Sequence, residues 1–242
     1  MAIKKFEVQL ISTEMISPNT MHLSFKKTDN QEFDYVPGQF ITFLFEQDGE
    51  KPKRRSYSIA TLEKSTDTIE IAISYIKTGI ASESLFHAKI GDRFSVMGPA
   101  GRLLLKEEEP CMKRLVLVGT GTGIAPYRAM LPKLTEVNLN IDIILGVQYR
   151  EDAIYAHDFL KYSKKHSHIH FHSCLSREKS RLNQGEFSGY VQHYFDHIDL
   201  DPNEDIIFLC GNPNMIDESY EKLLKLGFET KNIRREKYIS PK

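Results

Sequence analysis

The chain changes rhythm near its middle. Before that point apolar and polar positions alternate with period two, over 6–10, 21–25 and 69–73. Such alternation predicts strands with one buried face. Residues 40–45 are more continuously apolar, which predicts a strand buried on both faces. Pro37-Gly38, Asp48-Gly49, Gly91-Asp92 and Gly98-Pro99 punctuate these runs. Many short strands between turns predict a small closed barrel. One helix interrupts it over 82–88, with Ser82 as its N-cap. The charged segment Lys106-Glu107-Glu108-Glu109, ended by Pro110, reads as a linker.

Beyond the linker, strands at 115–118, 141–145, 169–173 and 206–210 alternate with helices near 126–134, 157–165 and 213–226. That alternation predicts a doubly wound parallel sheet. The fold class is therefore an antiparallel β-barrel at 1–108 followed by an α/β domain at 109–242.

Composition narrows the class. The 242 residues are 40% hydrophobic and 27% charged, as in a soluble globular protein with ample core. A net charge of −1 argues against nucleic acid as a partner. Cys111, Cys174 and Cys210 are isolated and odd in number, which fits a reducing, cytoplasmic setting. Their spacing gives no thiolate set for an iron–sulfur cluster. The segment Met1 to Leu10 alternates and has no apolar signal-peptide run. No apolar run approaches the roughly 20 residues of a membrane span, so no membrane partner is expected.

Two motifs carry candidate chemistry. Arg55-Ser56-Tyr57-Ser58 sets a cation, an aromatic plane and a hydroxyl together. On a strand Arg55 and Tyr57 share a face and Ser58 takes the other. A flavin needs a flat wall for its ring and a guanidinium for its pyrophosphate. The alternative is a surface strand with a charged start. Lys77-Thr78-Gly79-Ile80-Ala81-Ser82 then turns into the helix, whose free N–H groups suit a phosphate. An ordinary capped helix is the alternative there.

Gly119-Thr120-Gly121-Thr122-Gly123 joins the strand at 115–118 to a helix. The spacing departs from the usual dinucleotide fingerprint, yet three alternating glycines exceed what turn geometry needs. The turn allows close backbone approach to a pyrophosphate. Cys210-Gly211-Asn212-Pro213 lies at the end of the last strand, the edge where open sheets bind ligands. Cys210 suits a place beside a nicotinamide, or simply a core. Ser176-Arg177 ends the third strand and suits a ribose 2′-phosphate, or is a solvated loop. His166, His168, His170 and His172 would line one strand face, but no carboxylate or thiol joins them, so no metal is expected.

Together these blocks resemble the ferredoxin–NADP reductase family, close to its bacterial ferredoxin/flavodoxin type. The resemblance also runs through Pro37-Gly38-Gln39-Phe40, Gly98-Pro99-Ala100-Gly101 and Glu236-Lys237-Tyr238, and spans nearly the whole chain. It implies a six-stranded FAD-binding barrel and an NADP-binding sheet. It also implies hydride exchange between NADP(H) and flavin N5, and single electrons exchanged with a ferredoxin or flavodoxin. NADPH is expected over NADH, and a monomer is expected. Alternative acceptors are free flavin, a cytochrome or an oxygenase component.

By the resemblance, Tyr57 stacks on the flavin, Ser58 sits by N5 and Arg55 holds the pyrophosphate with Ser82. Ser56, Ser74, Lys77, Gly79, Ile80 and Ala81 complete the FAD site. Gly121, Thr122, Gly123 and Gly211 face the nicotinamide nucleotide, and Cys210 lies near its C4. Ser176 and Arg177 contact the 2′-phosphate, Tyr190 flanks the adenine, and Glu236 and Tyr238 shape the nicotinamide end. Ser58, Cys210 and Glu236 are the catalytic candidates. The chain departs from the family at Gly79-Ile80, often Gly-Gly. It also lacks a second clear basic residue near Gly185-Glu186, and continues past Tyr238.

Overall fold

The computed structural model describes residues 4–29, 31–47, 49–62, 67–106 and 112–238. Most of the expected linker at 106–110, together with Cys111 and the segment after Tyr238, lies outside the described residues. The chain divides into two compact units. One is Met1–Leu105 with Ala125–Met130; the other is Lys106–Ile124 with Leu131–Lys242.

The first unit holds β1 (Lys4–Ser17), β2 (Thr20–Lys27), β3 (Phe40–Gln47), β4 (Glu50–Ser58), β5 (Thr68–Ser74) and β6 (Arg93–Ala100), with α1 (Ile80–Phe86) between β5 and β6. The strands pair antiparallel in the order β4-β3-β6-β1-β2-β5. The segment after β4 then bonds to β5, which stands at the other end of that order. The Ala60 N–H donates to the Glu70 carbonyl at 2.7 Å, and the Glu70 N–H donates to Thr61 Oγ1 at 2.9 Å. Those bonds close the barrel and leave fewer open edges.

Its interior is filled by Val8, Leu10, Leu23, Phe25, Phe43 and Ile71, all fully buried. Phe25, Phe43 and Phe94 meet pairwise at 5.3–5.9 Å. Phe25 and Phe43, fully buried, each contribute about 1.5–3 kcal/mol by leaving water.

The structure corrects two expectations here. In β3, Ile41, Phe43 and Phe45 are buried, whereas Phe40, Thr42 and Leu44 are only partly covered. The strand is thus buried on one face, because a barrel strand has a single inner side. The helix also starts earlier than expected. Its N-cap is Gly79, not Ser82. Thr78 sits at φ 63, and the Gly79 N–H bonds back to the Ile76 carbonyl at 2.9 Å, so the chain has already turned. Ser82 is buried inside α1, and its Oγ accepts from the Ile76 N–H at 2.9 Å.

The second unit is built on a six-stranded, all-parallel sheet. It comprises β7 (Arg114–Thr120), β8 (Asn140–Val147), β9 (Ile169–Leu175), β10 (Glu186–Ser188), β11 (Asp205–Gly211) and β12 (Ile233–Lys237). Their order is β10-β9-β8-β7-β11-β12. From β7 the chain builds outward one way through β8, β9 and β10. It then returns to the other side of β7 for β11 and β12. The switch point therefore lies between β7 and β11.

The helices that follow β7 along the chain are α2 (Ala125–Leu134), whose first six residues belong to the first unit, α3 (Ala156–Lys165), α4 (Val191–Tyr194) and α5 (Pro213–Lys225). Asn212 caps α5, its side chain accepting from the Asn214 and Met215 N–H groups at 2.9 and 3.3 Å. Pro213 occupies the first helical turn, where its missing N–H costs nothing. Met215, Ile216, Ser219 and Leu223 recur at helical spacing and bury one face of α5. Every residue of β11 is buried, as in an inner parallel strand covered on both faces, and it pairs with β7 on one side and β12 on the other.

Candidate functional site

The first unit carries the Arg55-Ser56-Tyr57-Ser58 group on β4. In register with β3, Arg55 stands opposite Phe43, Ser56 opposite Thr42, Tyr57 opposite Ile41 and Ser58 opposite Phe40. The Tyr57 ring packs edge-on to Phe43 at 5.8 Å and 80°. That anchors a half-buried aromatic plane against the barrel core. Burial pushes its phenol up, although the Arg55 charge pulls the other way. Ser58 is 4% exposed. Ser56 Oγ and Thr42 Oγ1 meet at 2.8 Å, and Arg55 Nη1 donates to the Arg54 carbonyl at 2.8 Å. Ser74 Oγ bonds with Thr20 Oγ1 at 3.0 Å, and Lys77 is exposed on the turn before α1. Ile80, at the start of α1, packs against the same core as Tyr57. A guanidinium, an aromatic plane and a helix start fit a flavin diphosphate.

In the second unit three segments cross at the switch point. Gly121-Thr122-Gly123-Ile124 is a single 3₁₀ turn between β7 and α2. A Cβ on Gly123 would fall 2.3 Å from the Cys210 carbonyl oxygen. Only a bare backbone fits there. Packing of the turn against β11 therefore accounts for this glycine, contrary to the expectation that the glycines exceed structural need. Gly121 differs: it has φ 53 and nothing within 4 Å of a Cβ position, so its peptide faces open space. That is the approach a dinucleotide phosphate requires, and the residues fit the group.

Cys210 is fully buried, opposite Gly119 on β7 and Glu236 on β12. Burial raises its thiol well above the ordinary range, the Glu236 charge adds to this, and a hydrogen bond with Tyr238 opposes it. Cys210 is therefore a neutral thiol at pH 7, not a thiolate nucleophile. The Tyr238 N–H donates to the Gly211 carbonyl at 2.8 Å, which brings Cys210, Glu236 and Tyr238 together.

The ends of β8 and β9 form a third group. The Ser176 N–H and Oγ both donate to the Val147 carbonyl, at 3.0 and 3.2 Å, and the Arg177 N–H donates to the Gln148 carbonyl at 2.9 Å. Arg177 and Tyr190 are exposed. A pocket of about 480 Å³ is lined by Tyr149, Arg150, Glu151, Glu178 and Ser180. Arg150 donates to Glu186 through Nε at 2.6 Å and Nη2 at 2.7 Å.

The histidine row does not form one face. His166 caps the end of α3, and His168 bonds to the Leu134 carbonyl at 3.2 Å. Only His170 and His172 lie on β9, where His172 faces Asp142 at 3.7 Å. Among the described residues no group of three or more His, Cys, Asp or Glu side chains is arranged to hold a metal.

Comparison with known proteins follows this division. Residues 7–104 match the oxidoreductase FAD-binding domain, and residues 117–220 match the oxidoreductase NAD-binding domain. The chain belongs to the ferredoxin–NADP reductase family. It is thus an FAD- and NAD(P)-binding oxidoreductase.

Ferredoxin–NADP reductase B of Sorangium cellulosum is 26% identical, over 96% of this chain and 97% of that protein. The toluate 1,2-dioxygenase electron transfer component of Pseudomonas putida is 27% identical, over 97% of this chain and 68% of that protein. The fold matches a Neisseria gonorrhoeae ferredoxin NADP⁺ reductase, solved with FAD and NADP bound. Its TM-score is 0.83 at 23% identity, covering 98% of this chain and 99% of that one.

Within this family member, sequence reasoning overlooked Tyr149, Arg150 and Glu186. The edge rule was applied to the ends of β7, β9 and β11. Applied also to β8, it points to Gln148-Tyr149-Arg150 beyond Val147. Among the described residues no helix is long and apolar enough to cross a membrane.

Proposed function

We propose that the protein transfers electrons between NADPH and an acidic one-electron carrier of the ferredoxin or flavodoxin type. FAD, when bound, supplies the step between two-electron and one-electron chemistry. The chain supplies binding, orientation and charge. Arg55 pairs with the flavin pyrophosphate, with the first-turn N–H groups of α1 beside it. Tyr57 gives the ring a wall, and Ser58 offers a hydroxyl at the strand end. Gly121 and Thr122 admit the coenzyme pyrophosphate to the backbone, while Cys210 and Glu236 border the nicotinamide end. Arg177 pairs with a 2′-phosphate, and Tyr190 takes the adenine. The buried free thiols Cys174 and Cys210 suit a reducing cytoplasm.

The carrier reading rests on one observation. Lys51, Lys53 and Arg54 are all exposed on β4, directly ahead of the proposed flavin group. Lys53 alternates in step with Arg55 and Tyr57, so it shares their face. Opposite charge speeds encounter with an acidic partner and weakens as salt rises past about 0.15 M. A Lys51→Glu, Lys53→Glu double variant should reduce an acidic carrier about tenfold more slowly at low salt. Its reduction of a small neutral dye should barely change. Equal losses on both would mean that the lysines serve FAD instead.

A second reading, an oxygenase component as acceptor, is favoured by the likeness to the toluate dioxygenase component. Steady-state rates with ferredoxin, flavodoxin and an oxygenase would separate the two. The coenzyme reading has its own test. Arg177→Ala should raise KM for NADPH about tenfold, the loss of one charged hydrogen bond, and leave NADH nearly unchanged. Equal effects on both coenzymes would remove Arg177 from that role.

A further inference from the structure

Arg150 is tied down more completely than any surface role requires. Besides its two bonds to Glu186, its Nη1 donates to Ser180 Oγ at 3.0 Å and its Nη2 to the Arg181 carbonyl at 2.9 Å. Its backbone N–H donates to Glu178 Oε2 at 3.2 Å. Glu178 Oε1 in turn accepts the Lys179 and Ser180 N–H groups at 3.1 and 3.0 Å. Glu186 also accepts the Asn183 N–H at 2.7 Å. Residues 177–185, between β9 and β10, are thus fastened at several points to one arginine beyond β8. The loop carries three exposed cations, Arg177, Lys179 and Arg181, and its Glu178 and Ser180 line the 480 Å³ pocket.

An arginine so engaged has its charge compensated, so it is poorly placed to bind an anion itself. Its geometry serves a different purpose. Without the clamp, nine residues would sample many conformations, and binding a phosphate would have to order them at that moment. We propose that Glu186 is a positioning residue for coenzyme recognition: by fixing Arg150 bidentately, it holds the 177–185 loop with Arg177 presented to the 2′-phosphate. The inference rests on the reading of Arg177 proposed above.

Two further observations agree. Glu186 is held down to about 2, first by the Arg150 guanidinium, and Glu178 is held down to about 2, first by the Ser180 N–H. The clamp is therefore ionised and intact throughout the neutral range. Its contribution is present above the ordinary carboxylate range and is lost as pH falls toward 2. The Glu186 side chain is 11% exposed and that of Arg150 37%, so the carboxylate end of the pair is the shielded one.

The experiment is isothermal titration of the folded flavoprotein with 2′,5′-ADP and with 5′-AMP, at pH 7. Glu186→Gln keeps size but breaks the carboxylate fork, and should weaken 2′,5′-ADP about tenfold while changing 5′-AMP less than about twofold. Arg150→Lys, at a half-exposed position, should weaken 2′,5′-ADP in the same direction. Because both changes act through Arg177, the Arg177→Ala, Glu186→Gln double variant should lose no more than Arg177→Ala alone.

Undiminished 2′,5′-ADP binding in both clamp variants, with Arg177→Ala still impaired, would overturn the clamp and leave the Arg177 reading standing. Fully additive losses would also overturn it. If Arg177→Ala itself binds 2′,5′-ADP like the parent, both ideas fall.

Discussion

Replacing Gly123 with alanine should lower the thermal midpoint by about 6–12 °C. The new methyl group would meet the Cys210 carbonyl at 2.3 Å, and the atoms around it are backbone, which cannot swing aside. Overpacking of this kind costs about 1–3 kcal/mol, and rigid surroundings favour the upper end. In a chain of this size each kcal/mol shifts the midpoint by roughly 2–4 °C. Gly121→Ala is the matched control. Its Cβ meets nothing, so the cost is the left-handed backbone alone, about 1–2 kcal/mol. Circular dichroism melts of the two variants give the comparison. A Gly123→Ala midpoint no lower than that of Gly121→Ala would show that the turn relaxes away from β11.

The other large effect concerns FAD. Arg55→Ala should weaken FAD binding by about 1.5–3 kcal/mol, the range for a hydrogen bond to a charged group. That is roughly a 10- to 150-fold rise in Kd. Arg55→Lys should lie between, because an ammonium keeps the charge but not the fork. Flavin fluorescence during titration of apoprotein reads the constant directly. An unchanged Kd in Arg55→Ala would place the pyrophosphate on α1 alone.

Much of this architecture was legible because its signals are periodic. β1, β2 and β5 alternate cleanly, and β7, β8 and β11 have mainly apolar centres, so their types and order of appearance could be read directly. β12 was missed because Ile233-Arg234-Arg235-Glu236-Lys237 is almost wholly charged. It lies at a sheet edge, where only β11 asks anything of it. β10 has three residues, too few for any period to register. Ser82 misled because serine favours N-caps, yet the turn at Thr78 and Gly79 had already started the helix. At the candidate site, residues adjacent in sequence were easier to find than those joined only by folding. Arg150 and Glu186 stand 36 positions apart and meet through side chains, which no local pattern records.

The sheet order also bears on how this chain is made. Ile206 on β11 pairs with Leu115 on β7, across most of the second unit's length. As the polypeptide leaves the ribosome, β7 therefore emerges long before its inner neighbour exists. Its Leu115-Val116-Leu117-Val118 edge waits unpaired through the synthesis of β8, β9 and β10. An open apolar edge is a template for pairing with other chains. Nascent fragments ending before Asp205 should therefore be the aggregation-prone species, and the best clients for a chaperone that covers strand edges.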